Sequence, residues 1–94
     1  MLAVARLTHA QAREALELAL EEVSRQLLDM PTAEVMADDD LGWMFDGPGR
    51  SWVLVEGERL EATSDDVPVV LTAHLRGWFR ARAVERRRVV IPLR

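Results

Sequence analysis

Cysteine, lysine, asparagine and tyrosine are all absent from this 94-residue chain. Without cysteine there is no disulfide and no thiolate metal site. Because small secreted domains commonly rely on disulfides, we expect a cytoplasmic protein. Every basic side chain is Arg, so any basic surface presents forked guanidinium donors. We attribute the missing Lys to codon usage in a GC-rich genome and expect a bacterial source.

Long apolar runs are also absent. No stretch approaches the roughly 18 apolar residues that cross a bilayer, and residues 1–11 lack the apolar segment of a signal peptide, so we expect no membrane association. The hydrophobic content of 49% argues against disorder. The length predicts a single domain over residues 1–94 with a core of modest size.

The formal net charge of −4 conceals an uneven distribution along the chain. Residues 1–66 hold 15 Asp or Glu and 5 Arg, whereas residues 67–94 hold 7 Arg and 1 Glu, which gives −10 and +6. Such an asymmetry can mark an interaction surface. Alternatively, the two parts of the chain neutralise each other within the fold.

A capping-box pattern predicts where the first helix begins. Thr8 and Gln11 have the required spacing. Apolar residues then recur every three or four positions, which predicts a helix from about residue 9 to 29 with one buried stripe. The stripe consists of Ala12, Leu16, Ala19, Leu20, Val23 and Leu27. Glu21 and Arg25 have the spacing of an ion pair, and Pro31 ends the helix.

Two apolar segments at 41–45 and 51–55 flank a loop with glycine and proline, which predicts a β-hairpin. A four-residue loop closed by residues 46 and 51 places four apolar side chains on one face and three on the other. The first set is Trp43, Phe45, Trp52 and Leu54, and the second is Met44, Val53 and Val55. Because both faces are apolar, a second layer or a second subunit must cover the sheet.

The other predicted elements are a short strand at 32–37, a strand at 58–62 after a turn or bulge at Glu56-Gly57, a second helix at about 67–84 capped by Thr63–Asp66, and a last strand at 89–93. The spacing of apolar residues supports the second helix, although Val67–Leu71 can also be read as a strand. The fold class is therefore α+β in the order α-β-β-β-α-β, with a central hairpin in an antiparallel sheet packed against two helices.

Residues suited to catalysis are few. His9 and His74 lie in no recognisable motif, and we expect His74 at the edge of the core. Asp38–Asp40 suits a solvated turn better than a metal site, and Gly47–Ser51 suits a hairpin turn better than a phosphate loop. We therefore predict no catalytic residue, no metal and no cofactor. A small ligand-binding protein or enzyme that uses His74 remains an alternative.

The strongest functional signal is an Arg cluster in the last third of the chain. Clustered Arg is typical of proteins that bind phosphate backbones, but the acidic remainder of the chain favours a protein partner or a second copy. Trp and Arg are also enriched at interface hot spots. The predicted partner-binding residues are Arg76, Arg80, Arg86, Arg87, Arg88, Trp43, Trp52 and Trp78.

These observations lead us to expect a small non-enzymatic protein-binding module, an adaptor, chaperone, inhibitor or immunity-type protein, that acts as a homodimer or on a protein partner. In size and predicted order of elements it is similar to small acidic secretion chaperones and some toxin-immunity proteins. Nucleic-acid binding through the Arg-rich region 76–88 is the second hypothesis.

Overall fold

The computed structural model describes residues 8–37, 40–77 and 83–93, which form two helices and a four-stranded antiparallel sheet. The elements are α1 (His9–Asp29), α2 (Thr32–Ala37), β1 (Leu41–Asp46), β2 (Trp52–Arg59), β3 (Asp66–Arg76) and β4 (Val84–Pro92). Each strand pairs with the next, so the sheet order is β1-β2-β3-β4. The predicted α+β class and antiparallel sheet are confirmed. The order differs, because both helices precede all four strands.

Helix α1 agrees with its sequence signals. The Gln11 N–H donates to the Thr8 hydroxyl at 3.1 Å, and the Thr8 N–H donates to Gln11 Oε1 at 3.0 Å, which completes the capping box. All six residues of the predicted stripe are buried. The predicted Glu21–Arg25 pair is wrong, because the Arg25 Nε–H donates to Glu22, one position further along, at 3.1 Å.

Residues 32–37 form α2 rather than the predicted strand. The Pro31 carbonyl accepts from the N–H groups of Glu34 and Val35, at 2.9 and 3.2 Å, and so begins a new helical turn. Alanine, Glu and Met are good helix formers, and the alternation in this segment was too weak to oppose them. Val35 is fully buried and anchors this short helix to the core.

The hairpin of β1 and β2 exists as predicted, but its register differs by one residue. Asp46 pairs with Trp52 across a five-residue loop, closed by a hydrogen bond from the Gly47 N–H to the Ser51 carbonyl at 3.0 Å. Within the loop, Gly49 has a φ of 64°, a conformation that favours glycine. Because side chains alternate along a strand, the extra loop residue moves Trp52 and Leu54 to the opposite face from the one predicted.

Strand β2 also runs further than predicted, without a turn at Glu56-Gly57. Gly57 pairs with Leu41 on one side and Leu71 on the other. A β-carbon at Gly57 would lie 3.1 Å from the Leu41 Cβ and 3.3 Å from the Leu71 Cδ2, so the glycine permits close packing of its neighbours.

The predicted helix at 67–84 is wrong for the described part of that range, since β3 and the first residue of β4 replace it. Val67, Val69, Leu71, Ala73 and Leu75 are all buried, which is the two-residue period of a strand. The helical spacing also fitted the sequence, and pairing with β2 and β4 decides the outcome. The cluster predicted to cap this helix instead forms a turn, in which the Asp66 N–H donates to the Thr63 hydroxyl at 3.0 Å.

The hydrophobic core lies between the helices and one face of the sheet. Helix α1 packs against β2, β3 and β4, and its buried stripe meets the buried residues of those strands. Trp43 and Phe45 of β1 are half-buried against the same core. We call this helix-packed side of the sheet the covered face.

Candidate interaction surface

The opposite side of the sheet is covered by no element within residues 8–37, 40–77 and 83–93, and we call it the open face. Its members follow from the strand register and the alternation of side chains. They are Gly42, Met44 and Asp46 of β1, Trp52, Leu54, Glu56 and Glu58 of β2, Asp66, Pro68, Val70, Thr72, His74 and Arg76 of β3, and Val84, Arg86, Arg88, Val90 and Pro92 of β4.

An apolar row crosses the open face from one edge strand to the other. Met44 pairs with Leu54, Leu54 with His74, and His74 with Val84, so all four lie at one level along the strands. Met44 is 70% exposed and Val84 is 50% exposed. Trp52 lies beside this row on β2 and is 40% exposed. Leu54 and His74 are partly buried, so the exposed apolar side chains in and beside this row are Met44, Trp52 and Val84, and exposed apolar groups of this kind are typical of interaction surfaces.

Four of the seven Asp, Glu and Arg residues on the open face are divided between two strands. Glu56 and Glu58 lie on β2, while Arg86 and Arg88 lie on β4. Glu56 is level with Arg86, because both pair with Thr72, and Glu58 is level with Arg88, because both pair with Val70. With strands about 4.8 Å apart, each acid lies two strands, or about 10 Å, from the base at its level.

Arg86 and Arg88 form no ion pair with another residue in the described part of the chain. The charges on α1 contrast with this arrangement. Arg13 lies within ion-pair distance of Glu17 and Glu85, and Arg25 lies within that distance of Asp29. Both Arg of α1 therefore have acids within ion-pair distance, whereas Arg86 and Arg88 have their counter-charges two strands away.

His74 lies near the centre of the open face and is partly buried. Its Nε2 is 3.7 Å from Glu56 Oε2, a separation that gives an ion pair only when the imidazole is protonated. His74 is thus neither in the core nor in a cavity. A shallow depression does exist, but it lies on the covered side, between Ala15, Leu18 and Ala19 of α1 and residues 45–48.

Two groups of predicted site residues, the Trp pair and the Arg run at 86–88, are divided between the two faces of the sheet. Trp52 lies on the open face, while Trp43 points to the covered face and packs against the core. Arg86 and Arg88 lie on the open face, while Arg87, level with Leu71, lies on the covered face. The Arg cluster is therefore not one continuous surface.

Arg76 is exposed at the end of β3, on the open face. Arg80 and Trp78 lie outside the described residues. No group of three or more potential metal-binding side chains occurs in the part of the chain that the structure describes. Asp38 and Asp39 of the acidic run lie outside that part.

Sequence reasoning missed most of the apolar and acidic members of this surface. Leu54 was assigned to the wrong face by the one-residue error in register, and Glu56 was assigned to a turn. A signal for β4 was present, because Val84, Arg86, Arg88 and Val90 occupy alternate positions and share a face once the segment is a strand.

Within the described ranges, no helix is both long enough and apolar enough to cross a membrane. Comparisons with models of protein families, with curated proteins and with solved structures found no significant match to this chain.

Proposed function

We propose that this chain is a small non-enzymatic protein-binding module that binds its partner through the open face. The observation that supports this function is the apolar row across an uncovered sheet, from Met44 on one edge strand to Val84 on the other. Water-exposed apolar area of this extent is unfavourable in an isolated domain, and its burial is the main driving force for association.

Residue types on the open face also suit a protein partner. Trp52 and the Arg residues of β4 are of the kinds that contribute most at protein interfaces. Acidic and basic groups flank the apolar row, so a partner can be selected by charge as well as by apolar contact. The roles that fit such a surface are those of an adaptor, chaperone, inhibitor or immunity-type protein, and the absence of cysteine favours a cytoplasmic location.

Nucleic-acid binding has weaker support. Glu56 and Glu58 share the open face with Arg86 and Arg88, so a phosphate backbone lying across this face would meet carboxylates as well as guanidinium groups. Arg87 points to the other face. Binding to heparin that falls steeply with salt, and that is lost in the triple variant Arg86→Ala/Arg87→Ala/Arg88→Ala, would favour nucleic acid over protein.

Site-specific photo-crosslinking tests the proposed function. A benzophenone amino acid replaces Val84, which is 50% exposed and so tolerates the change, and the chain is irradiated in the cells that normally express it. The matched control places the same amino acid at Leu28, an exposed apolar position on α1. We expect protein adducts at position 84 and few at position 28. No adduct at position 84, or equal adducts at both positions, would contradict the proposal.

A further inference from the structure

We propose that the partner bound by the open face is a second copy of this chain, stacked sheet on sheet about a two-fold axis that runs along β3. This inference rests on the proposed function and identifies its partner. Charged and apolar residues follow the same order along β2 and β4, and a two-fold rotation can place one strand over the other.

Rotation about an axis parallel to the strands preserves the position of a residue along the strand and reverses the order of the strands. With the axis along β3, it therefore places β2 of one copy over β4 of the other. The sheets of packed layers lie about 10 Å apart with strands nearly aligned. Residues of β2 and β4 that share a level in the monomer become neighbours across this interface.

Four levels along β2 and β4 match in chemical type. At the first, Leu54 lies over Val84 of the second copy, and at the next two, Glu56 and Glu58 lie over Arg86 and Arg88 of the second copy. The fourth level lies just beyond the end of β2. There the Leu60 N–H donates a hydrogen bond to the Pro68 carbonyl, and Pro68 pairs with Val90 of β4. Leu60 therefore lies over Val90 of the second copy.

The match is apolar over apolar at both ends and acid over base between them. Because a two-fold interface is made of the same patch twice, each of these contacts forms twice. Leu60 and Val90 are 40% and 46% exposed in the single chain, so both have surface to bury. The bases of β4, which have no ion-pair partner among the described residues, would find carboxylates directly opposite.

Other two-fold axes match less well. An axis across the strands places β2 over β2, so that Glu56 and Glu58 face the same carboxylates of the second copy. An axis between β2 and β3 places Met44 over Val84, which is favourable, but sets Glu56 against Thr72 and Arg86 against Gly42. The charges therefore select the axis along β3, which leaves the edge strand β1 without a strand opposite it.

Strand β3 itself lies on this axis, so each of its open-face residues meets its own counterpart. For Pro68, Val70 and Thr72 these are neutral contacts. Asp66 would face Asp66, but it lies at the first position of the strand, where its carboxylate accepts a hydrogen bond from the Thr63 hydroxyl at 3.0 Å. His74 also meets its own counterpart, with Glu56 3.7 Å away as a counter-charge when the imidazole is protonated. Arg76 would face Arg76, but it lies at the exposed end of the strand, where the side chain reaches solvent.

Charge inversion with measurement of molar mass by light scattering tests this arrangement. The chain has a mass of 10.6 kDa, and we expect the wild type to have twice that mass in solution. Variant A carries Arg86→Glu and Arg88→Glu, and variant B carries Glu56→Arg and Glu58→Arg. Each variant alone sets like charges against each other, so we expect its dimer dissociation constant to rise at least 100-fold.

Restoration of the dimer is the decisive part of the experiment. An equimolar mixture of A and B should dimerise as tightly as the wild type, because every acid again lies over a base. The chain with all four substitutions should form a homodimer for the same reason. A control with Arg13→Glu and Arg25→Glu changes the net charge by the same amount as variant A, but on α1, and should remain dimeric. Circular dichroism checks that each variant is folded.

The inference is overturned if the wild type is monomeric at every concentration, if variants A and B dimerise as the wild type does, or if their mixture stays monomeric. The crosslinking experiment separates this failure from failure of the proposed function. Adducts at position 84 of twice the mass of the chain support self-association, because Val84 lies over Leu54 of the second copy. Adducts of any other protein mass, together with a monomeric wild type, would keep the protein-binding function and overturn the second copy as the partner.

Discussion

The covered and open faces of the sheet differ in what completes them. On the covered face, Leu71 and Val55 are fully buried, because α1 lies across the strands within the same chain. On the open face, Met44 is 70% exposed and Val84 is 50% exposed. Each strand contributes apolar side chains to both faces, yet the described chain supplies only one layer of helices. In the dimer that we propose, the second copy supplies the layer that the described chain lacks.

The two regions also differ in how their charges are arranged. Arg25 on α1 bonds to Glu22 and lies near Asp29, both within one helical turn. The acids and bases on the open face are separated by a whole strand. Local pairs of this kind contribute little to stability or specificity, whereas a regular division of charge across a surface can determine the orientation of a partner.

Truncating one apolar residue on each face should show the largest difference between the faces, measured as the loss in the free energy of unfolding. Leu71→Ala removes a fully buried side chain and should cost about 2–5 kcal/mol in the free energy of unfolding, because a cavity remains. Met44→Ala, at a site 70% exposed, should change it by less than about 0.5 kcal/mol. Urea denaturation at one low protein concentration measures both. Equal losses would show that the two faces are equally packed.

A second prediction concerns the hairpin loop, because the loop length determines the face of the sheet on which Trp52 and Leu54 lie. Gly49→Ala forces a β-carbon into the left-handed conformation at φ 64° and should cost about 1–2 kcal/mol. Gly49→Asn should lose less, since Asn tolerates this conformation better. Thermal unfolding compares the two. An Ala variant as stable as the wild type would mean that the loop does not need this conformation.

The smallest expected effect concerns the pair on α1. The hydrogen bond from Arg25, with a second from Gln26, lowers the pKa of Glu22. The small stabilisation from this pair is therefore fully present at pH values above the pKa of Glu22 in the unfolded chain. It is lost as the pH falls through the lowered pKa of Glu22 in the folded chain. Arg25→Gln should raise the pKa of Glu22 in an NMR titration, while Arg13→Gln should leave it unchanged. An unchanged pKa of Glu22 in the Arg25→Gln variant would show that Arg25 and Glu22 do not form this pair.

The sequence was informative where the signals are short in range. The capping box of Thr8 and Gln11, and the stripe from Ala12 to Leu27, correctly gave α1, because each depends on residues three or four positions apart. The hairpin at 41–55 was also identified from its loop composition. Its register was not, since four-residue and five-residue closures fit the same sequence and differ only in where the strands pair.

The second helix was predicted wrongly for a related reason. Val67, Leu71 and Leu75 are four residues apart, and they fit a helix as well as a strand. In the fold, these residues lie between β2 and β4, and backbone pairing on both sides outweighs the local preference. The open face could not be foreseen as a whole, because it requires β3 to lie between the acids of β2 and the bases of β4.

By itself, the sequence determined the α+β class, the first helix with its buried stripe, the hairpin, and the presence of interface-type residues such as Trp52, Arg86 and Arg88. Only the tertiary structure decided that these three share an uncovered face, and that Trp43 and Arg87 do not. The physical reason is the range of the interactions. Helix signals are complete within one turn of chain, whereas the face on which a strand residue lies depends on a register fixed by partners 6 to 26 residues away.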